Sequence, residues 1–480
     1  MSVAESPPKN APLSVELRFF AGTIEVRGDP TTPRQALLDL ELPRCADDDR
    51  TDCLRAPALA YPEVLLALLR LQKQGAVVVV DHARRYEELT LIASASPELR
   101  GYQEQALAAW KKARGRGVVV LPTGAGKTEV ALAAIADRQR STLVVAPTLD
   151  LVRQWHQALA NRFGVAVGLV GGGEHTVLPL TVTTYDSAWA HMEHLGNRFG
   201  LIVFDECHHL VADSYALAAR LCLAPYRLGL SATPERPDGK DALFDELVGP
   251  IVARKEIDEL QRDQGGQFLA DYDVVTVTVE LSAAERAAYD EARATYKNFV
   301  LDQRISMGSP EGWGRFLRAA AQSSEGRAAF AAWRLQKRLA TAAEQKLSHV
   351  DDILQRHKDV RVLVFSDDNA TAYAISRRFL VPVISHQTKV KERTRLLQAF
   401  SAGALPVLAT SRVLNEGIDV PDAQVAVIVS GSGTIREHVQ RLGRVLRPRP
   451  GKRAVLYELV SQNTNETFTS ERRRDHVAYR

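Results

Sequence analysis

The sequence predicts an α/β chain: two units built on parallel sheets, a small α+β unit ahead of them, and a helical insert between them. Three observations carry this. In residues 98–255 and again in 344–480, short apolar runs alternate with stretches of helix formers, the pattern left when crossover helices bury both faces of a parallel sheet. Residues 256–343 break that rhythm: after one strand they read as mostly helix from 282 to about 343, rich in Ala, Arg and aromatic side chains. Residues 1–97 open on Pro7, Pro8 and Pro12 and then give paired β segments and one helix, a rhythm of their own.

At 480 residues, with 45% hydrophobic and 25% charged side chains, the chain has the composition of a soluble globular protein and the length of about three domains. Lys plus Arg number 61 against 58 Asp plus Glu, a net +3, so any surface for nucleic acid must be a local patch. Cys45, Cys53, Cys207 and Cys222 show neither a disulfide framework nor zinc spacing, which points to a reducing, cytoplasmic setting. No apolar run approaches the ~20 residues that span a bilayer, and the N-terminus has no apolar signal core, so neither a membrane partner nor secretion is expected.

In chain order, residues 13–26 predict two strands turning at Ala21-Gly22. Asp47, Asp48 and Asp49 fall in a polar loop, and a helix from Pro62 to Leu71 stops at Gly75 before a strand over 76–80. This first unit holds no catalytic constellation; a structural role and a DNA-contacting role stay equally open. The next region offers strands over 118–120, 143–145, 180–183, 201–204 and 227–230. Gly171-Gly172-Gly173 lacks the dinucleotide fingerprint and reads as a loop. After a strand over 274–279, Ser282-Ala283-Ala284-Glu285 is a capping box opening the helical insert, which is interrupted near 308–314. Its Tyr289, Tyr296, Phe299, Trp313, Phe316 and Trp333 either form its core, the reading favoured for any one of them, or offer a stacking face to single-stranded nucleic acid. The last region offers strands over 362–365, 382–384, 407–409, 425–429 and 455–457.

The chemistry gathers at predicted strand ends, where open α/β sheets bind ligands. Leu121-Pro122-Thr123-Gly124-Ala125-Gly126-Lys127-Thr128 follows a strand and precedes a helix. Gly124 and Gly126 let backbone N–H groups, that of Ala125 included, close on a phosphate with no Cβ in the way, and the helix N-terminus adds positive charge. Lys127 reaches the outer phosphates of a nucleotide and Thr128 holds Mg²⁺. Asp205-Glu206-Cys207-His208 follows the apolar run 201–204. Asp205 there completes the Mg²⁺ shell, and Glu206 is the base for a water attacking the γ-phosphate.

Thr148 and Thr184, after other strands, offer hydroxyls and amides to the phosphates of a nucleic-acid backbone, and turn chemistry explains them about as well. Ser231 and Thr233, flanking Ala232, are candidates for a relay between the nucleotide site and a neighbouring domain. Arg441, Arg444 and Arg447 recur every third residue of a predicted helix and share a side that calls for an anion. Guanidiniums so placed neutralise a transferring phosphoryl group across an interface. Thr410 opens a loop in which Gly417 permits close backbone approach and Asp419 can bond a ribose or an arginine.

The order of these motifs from Leu99 to Tyr457 resembles that of superfamily-two helicases. Leu99-Arg100-Gly101-Tyr102-Gln103, Thr184-Tyr185-Asp186-Ser187-Ala188, Leu195-Gly196-Asn197-Arg198-Phe199, Glu416-Gly417-Ile418-Asp419-Val420-Pro421 and the run from Ser430 to Pro448 resemble the XPB family in its compact archaeal and bacterial form. Ala21 to Asp29 is similar to that family's small, damage-recognising first domain. The resemblance implies two RecA-like motor domains: an accessory domain over 1–97, a first motor domain over 98–255, a thumb-like insert over 256–343, and a second motor domain with its tail over 344–480. It implies an ATP-dependent DNA helicase or translocase of 3′→5′ polarity that uses MgATP, with DNA repair as its field. By motif match Arg100 and Gln103 contact adenine, Gln440 touches the γ-phosphate, Arg444 and Arg447 are arginine fingers, and His208 closes the Asp-Glu-x-His box, with Cys207 facing the core.

Where the family carries Arg-Glu-Asp for strand separation, this chain has Arg236-Pro237-Asp238. Proline removes a charge and an N–H, so the departure falls on duplex opening rather than on ATP hydrolysis. The expected partner is DNA as single strand, fork or duplex, bound by a monomer whose motor domains close on nucleotide. Two alternatives accompany this reading. One is a duplex translocase serving a nuclease partner without unwinding. The other is a DNA-binding scaffold with an idle ATPase, against which intact Lys127, Asp205, Glu206 and the arginines argue.

Overall fold

The computed structural model describes residues 12–92, 98–232, 234, 242–256, 259–260, 271–309, 311–411, 423–430 and 453–467. The chain divides into two compact units, Met1–Leu121 with Gly126–Lys255, and Pro122–Ala125 with Glu256–Arg480.

The first unit begins with β1 (Leu13–Phe20), β2 (Thr23–Gly28), α1 (Arg34–Leu38), β3 (Ala46–Asp48), β4 (Cys53–Pro57), α2 (Tyr61–Lys73) and β5 (Val77–Asp81). They form a five-stranded sheet in the order β3-β4-β2-β1-β5. Strand alternation turns Val15, Leu17, Ile24 and Val26 to one face, where they bury against Val64 and Leu68 of α2. Asp47 and Asp48, expected in a loop, instead belong to β3. Arginines make that possible: the buried Asp48 carboxylate accepts from Arg50 and Arg55, and these bonds hold its pKa well below the usual carboxylate range.

This small sheet is fixed to the rest of the first unit. Leu223, far downstream, completes its core. The Asn197 amide donates to the carbonyl of Ala83 at 2.9 Å, and the Arg85 N–H donates to the carbonyl of Asn197 at 2.8 Å. Gly22 has φ +77°, and a Cβ there would lie 2.3 Å from Leu221, so both the turn and the contact require glycine.

The larger sheet of this unit comprises α3 (Gly101–Lys112), β6 (Arg116–Val120), α4 (Lys127–Arg138), β7 (Thr142–Ala146), α5 (Leu149–Phe163), β8 (Gly168–Gly171), β9 (Glu174–Thr176), β10 (Leu180–Thr184), α6 (Tyr185–Leu195), β11 (Leu201–Phe204), α7 (Asp213–Arg220), β12 (Tyr226–Ser231), α8 (Leu243–Leu247) and β13 (Ile251–Arg254). Eight strands lie in the order β13-β6-β12-β11-β7-β10-β8-β9. Every pairing described is parallel except the β8–β9 hairpin, whose turn holds Gly172 and Gly173 at positive φ. The glycine run is thus a turn, between two short strands that the sequence pattern does not announce. β7, β10 and β11 are buried at every residue, as helices on both faces require. Arg227 of β12 is fully buried and donates to the carbonyls of Ala219, Cys222, Ala224 and Leu247. Burial pushes its pKa down to about 9, and the carbonyls closing α7 supply the compensating negative charge.

The second unit comprises β14 (Asp271–Val279), α9 (Ala283–Asp302), α10 (Gly312–Gln322), α11 (Ser324–Thr341), α12 (Glu344–Arg356), β15 (Val362–Phe365), α13 (Asn369–Phe379), β16 (Val383–Ile384), α14 (Val390–Ser401), β17 (Val407–Thr410), β18 (Val425–Ile428) and β19 (Arg453–Ser461). Six parallel strands lie in the order β14-β19-β18-β15-β17-β16. β14 falls inside the span read as the helical insert, yet it pairs with β19 from Asp271↔Arg453 to Val279↔Ser461. The insert proper therefore starts at the Ser282 capping box, where the Glu285 N–H donates to Ser282 Oγ and the Ser282 N–H to the Glu285 carboxylate.

Within α9, α10 and α11 the aromatics make a small core. Phe299 and Phe316 are buried, and Tyr296 meets Phe316 edge-on at 5.4 Å. Trp313 remains 39% exposed beside Trp333. The fully buried Lys346 of α12 donates to the carbonyl of Val429 and to Glu466, pinning that helix to the ends of β18 and β19.

Candidate active site

The larger sheet of the first unit sets adjacent strand ends side by side in the order β6, β12, β11, β7, β10, and a candidate functional residue stands at or just beyond each. β6 runs into the glycine loop, which is tied to β12 where the Leu121 N–H donates to the carbonyl of Ser231 at 3.0 Å. α4 starts at Lys127 with no side-chain cap, so its first amides stay available to an anion. Gly126 precedes it in the left-handed region at φ +75°, and a Cβ there would lie 2.4 Å from Gln103 Nε2. Gly124 is left-handed too, at φ +86°. Thr123 Oγ1 is buried without a hydrogen-bond partner among the described residues, a donor that a phosphate oxygen would satisfy. Thr128 follows Lys127 in the first turn of α4.

Gln103 is buried against this loop. Its Oε1 accepts from the Arg100 N–H at 2.8 Å and its Nε2 donates to the carbonyl of Gly126 at 3.4 Å. The Arg100 guanidinium donates to the Tyr102 hydroxyl.

β11 delivers the two acids. The Asp205 N–H is held by the carbonyl of Val145, and the Tyr185 hydroxyl donates to the Asp205 carbonyl at 3.0 Å. The Asp205 carboxylate is fixed at both oxygens: Oδ1 accepts from the Glu206 N–H at 3.0 Å and Oδ2 from Trp155 Nε1 at 2.7 Å. Desolvation, then the charge of Glu206 beside it, pushes its carboxyl up to about 6. Glu206 itself is left-handed at φ +45°, a strained conformation for a residue with a Cβ and one found at functional sites. That turn directs its carboxylate to Lys127 Nζ, 3.6 Å from Oε1, and to His208 Nδ1, 3.5 Å from Oε2. Lys127 Nζ also reaches the carbonyl of Leu121 at 3.3 Å. His208 is buried, and its Nδ1 lies 3.3 Å from Ser231 Oγ, so Glu206, His208 and Ser231 form one contiguous polar line. Cys207 faces the core, where burial pushes its thiol up and keeps it inert.

Thr148 and Thr184 are the N-caps of α5 and α6: their hydroxyls accept from the N–H groups of Leu151 at 3.3 Å and Ser187 at 3.1 Å. In the second unit Thr410 ends β17, buried, with its hydroxyl donating to the carbonyl of Ser411. Thr233, Arg236, Pro237, Asp238, Gly417, Asp419, Gln440, Arg441, Arg444 and Arg447 lie outside the described residues. Sequence reasoning missed Trp155 and met Tyr185 only as part of the Thr184-to-Ala188 motif, with no role for its hydroxyl; nothing in their spacing marks the polar atom that each aims at Asp205.

The donor set suits a nucleotide carrying a hard dication: uncapped helix amides, a lysine, a hydroxyl, and two acids at one strand end. Among the described residues no three His, Cys, Asp or Glu gather as a ready metal cage, so Thr128 and Asp205 would hold such an ion together with phosphate oxygens.

Solved structures share the fold. The Pyrococcus furiosus Hef helicase domain aligns at TM-score 0.53 and 19% identity, over 79% of this chain and 98% of its own. Saccharomyces cerevisiae Dbp5 bound to RNA and ADP BeF3 aligns at TM-score 0.54 and 15% identity, over 80% of this chain and 88% of its own. Fold and site together define a P-loop nucleotide-hydrolysing enzyme of the helicase class. Three family models match: the Xeroderma pigmentosum group B helicase damage recognition domain over 17–83, the type III restriction enzyme res subunit over 96–236, and the ERCC3/RAD25/XPB C-terminal helicase over 316–479. The DNA 3′-5′ translocase XPB2 of Sulfurisphaera tokodaii is 42% identical over 79% of this chain and 85% of its own length, and the chain belongs to the XPB family. The DNA 3′-5′ helicases XPB of Kineococcus radiotolerans and Mycobacterium tuberculosis are 34% and 31% identical over 80% and 79% of this chain, which spans 62% and 64% of their lengths.

Proposed function

We propose that this chain is an ATP-dependent DNA motor of 3′→5′ polarity that couples ATP hydrolysis to translocation and duplex unwinding in DNA repair. The observation that carries the reading is the Asp205–Glu206 pair facing Lys127 at the C-terminal edge of one parallel sheet. Lys127 and the loop amides take the β- and γ-phosphates, while Gln103 and Arg100 take the adenine. Thr128 and Asp205 would hold Mg²⁺, which would supply positive charge to offset that of the transferring group. Glu206 takes a proton from water. The water oxygen bonds to the γ-phosphorus as the bond to the bridging oxygen breaks, leaving ADP and phosphate. His208 and Ser231 continue the polar line from Glu206, and Thr233, Arg236 and Asp238 carry the coupling role.

Motif match assigns charge neutralisation to Arg444 and Arg447 and γ-phosphate contact to Gln440, while Gly417 permits close backbone approach and Asp419 bonds a ribose or an arginine. Thr148 and Thr184 contact the DNA backbone without reading sequence, whereas Thr410, fully buried with its hydroxyl on the Ser411 carbonyl, does not reach it. The working form is a monomer in the cytoplasm. Among the described residues no helix is long and apolar enough to cross a membrane.

The test is ATPase stimulation by single- and double-stranded DNA, combined with strand displacement on 3′- and 5′-tailed duplexes. Stimulated hydrolysis with displacement confined to 3′ tails is expected. Absence of stimulation would leave the idle-ATPase scaffold. Stimulated hydrolysis without displacement would favour a duplex translocase serving a nuclease partner, a reading that Pro237 supports because it removes a charge and an N–H where the family separates strands.

A further inference from the structure

Helix α5 touches the nucleotide site at two places and begins at a third residue of interest. Thr148 caps its N-terminus. Two turns on, Trp155, only 2% exposed, donates its indole N–H to Asp205 Oδ2 at 2.7 Å. In its last turn Arg162 pairs with Glu129, the residue after Thr128 on α4. An indole has one N–H and no acceptor, so it can hold one partner only. That partner is a carboxylate at the strand end and not a carbonyl of the surrounding core. With the Glu206 N–H on Oδ1, the two bonds fix the plane of the carboxylate and leave each oxygen a further lone pair for another partner. Both donors are neutral, so they orient the acid without cancelling its charge.

We propose that Trp155 is a positioning residue for Asp205, and that α5 thereby links nucleic acid at the Thr148 cap to metal–nucleotide affinity at the sheet end. The inference rests on the readings of Asp205 as the Mg²⁺-holding acid and of Thr148 as a DNA contact. α5 is anchored to the acid at its middle and to α4 at its end, which makes it a physical connection between that acid and the Thr148 cap. Linkage is reciprocal: if DNA tightens MgADP binding by a given factor, MgADP tightens DNA binding by the same factor.

The test uses the full chain labelled with ¹⁵N-tryptophan, whose five indole signals are assigned in part by loss of one in Trp155→Phe. The Trp155 signal should move on addition of ADP with Mg²⁺ and stay still on addition of ADP with EDTA. An unmoved signal in both overturns the proposal, and this wild-type measurement stands even if the variant folds poorly. In Trp155→Phe the Mg²⁺-dependent part of ADP binding should weaken about ten- to a hundredfold, the range found for residues that orient metal ligands, with ADP binding in EDTA unchanged. The factor by which DNA tightens MgADP should shrink, and the reciprocal factor equally. Equal weakening with and without Mg²⁺ would show a packing role and overturn the positioning role. Asp205→Asn separates the two levels. If it keeps the wild-type Mg²⁺ dependence, the assignment of the acid itself fails. If it loses that dependence while Trp155→Phe keeps it, only the role of Trp155 fails.

Discussion

At the scale of single residues, Asp205 shows how burial and function compete. Its carboxyl sits among apolar strands and beside a second acid, so ionising it in the nucleotide-free protein is costly. The consequence has a sign. In the unfolded chain the group titrates near an ordinary 3.8, whereas in the folded chain it titrates near 6. The folded state therefore holds this proton more tightly. The stability that the protonated form contributes is complete below about pH 4 and is lost as pH rises through 6. Asp205→Asn, which never ionises, should gain on the wild type by about 2–3 kcal/mol between pH 4 and pH 7 without nucleotide. Thermal or urea unfolding across that range checks it, and a pH-independent difference would refute it. Lys127 and Glu206 have separable expected phenotypes. Lys127→Ala should lower turnover at least about a hundredfold by removing a positive charge from beside the developing phosphate charge. Glu206→Gln should lower turnover comparably yet keep ATP and DNA bound, read by nucleotide retention on a filter. Loss of ATP binding in Glu206→Gln would remove it as the base.

At the scale of elements, the N-terminal ends of helices carry both structure and proposed chemistry, and the two must be separated. The Thr148 hydroxyl is already engaged by the Leu151 N–H. Thr148→Ala should therefore cost about 1 kcal/mol of stability whether or not DNA is involved. Thr148→Ser keeps the cap, so equal DNA affinity in Ser and wild type, with a loss in Ala beyond the loss of folded protein, is the expected pattern. α4 shows the complementary case, a helix start with no side-chain cap, which is the arrangement that a phosphate-binding helix start needs. Gly126→Ala should cost about 1–2 kcal/mol for the left-handed backbone alone and also displace Gln103, so nucleotide affinity should fall more than stability does. Titration with a fluorescent ADP beside a melting curve reads both.

At the scale of the whole molecule, the first unit joins two sheets through contacts that local sequence does not announce. Leu223 lies in the core of the small N-terminal sheet, and Gly22 is pressed against Leu221. Leu223→Asp would bury an unpaired charge there, costing several kcal/mol, and should expose the segment 83–92 to protease while the nucleotide site persists. Protease resistance equal to wild type would mean that the small sheet is held by other contacts. Pro237→Glu probes the family departure: strand displacement per ATP hydrolysed should rise severalfold while ATPase changes little, since the glutamate returns a charge and an N–H. Unchanged displacement would show that this position does not limit unwinding.

The legible part of this fold comes from periodicity and from motifs whose chemistry is local. Buried parallel strands are apolar throughout, so β7, β10 and β11 announce themselves, and a glycine loop needs its glycines wherever it is used. The short β8–β9 hairpin, and the membership of β14 in the second sheet, were not legible. Pairing partners are chosen by tertiary position, and β14 meets β19 across a long stretch of intervening chain. The six aromatics of the helical insert spell either a core or a stacking face until packing puts Phe299 and Phe316 inside and leaves Trp313 partly out. The loop, the acids and the alternation that sets them at sheet ends are each encoded within a few consecutive residues, so primary structure alone suffices for them. Three-dimensional packing was needed to show that Trp155 and Tyr185 grip Asp205, that Glu206 turns left-handed toward Lys127, and that Arg227 is satisfied by four carbonyls. These arrangements bring together residues from different elements, and the cost of burying a polar group unpaired is what selects them.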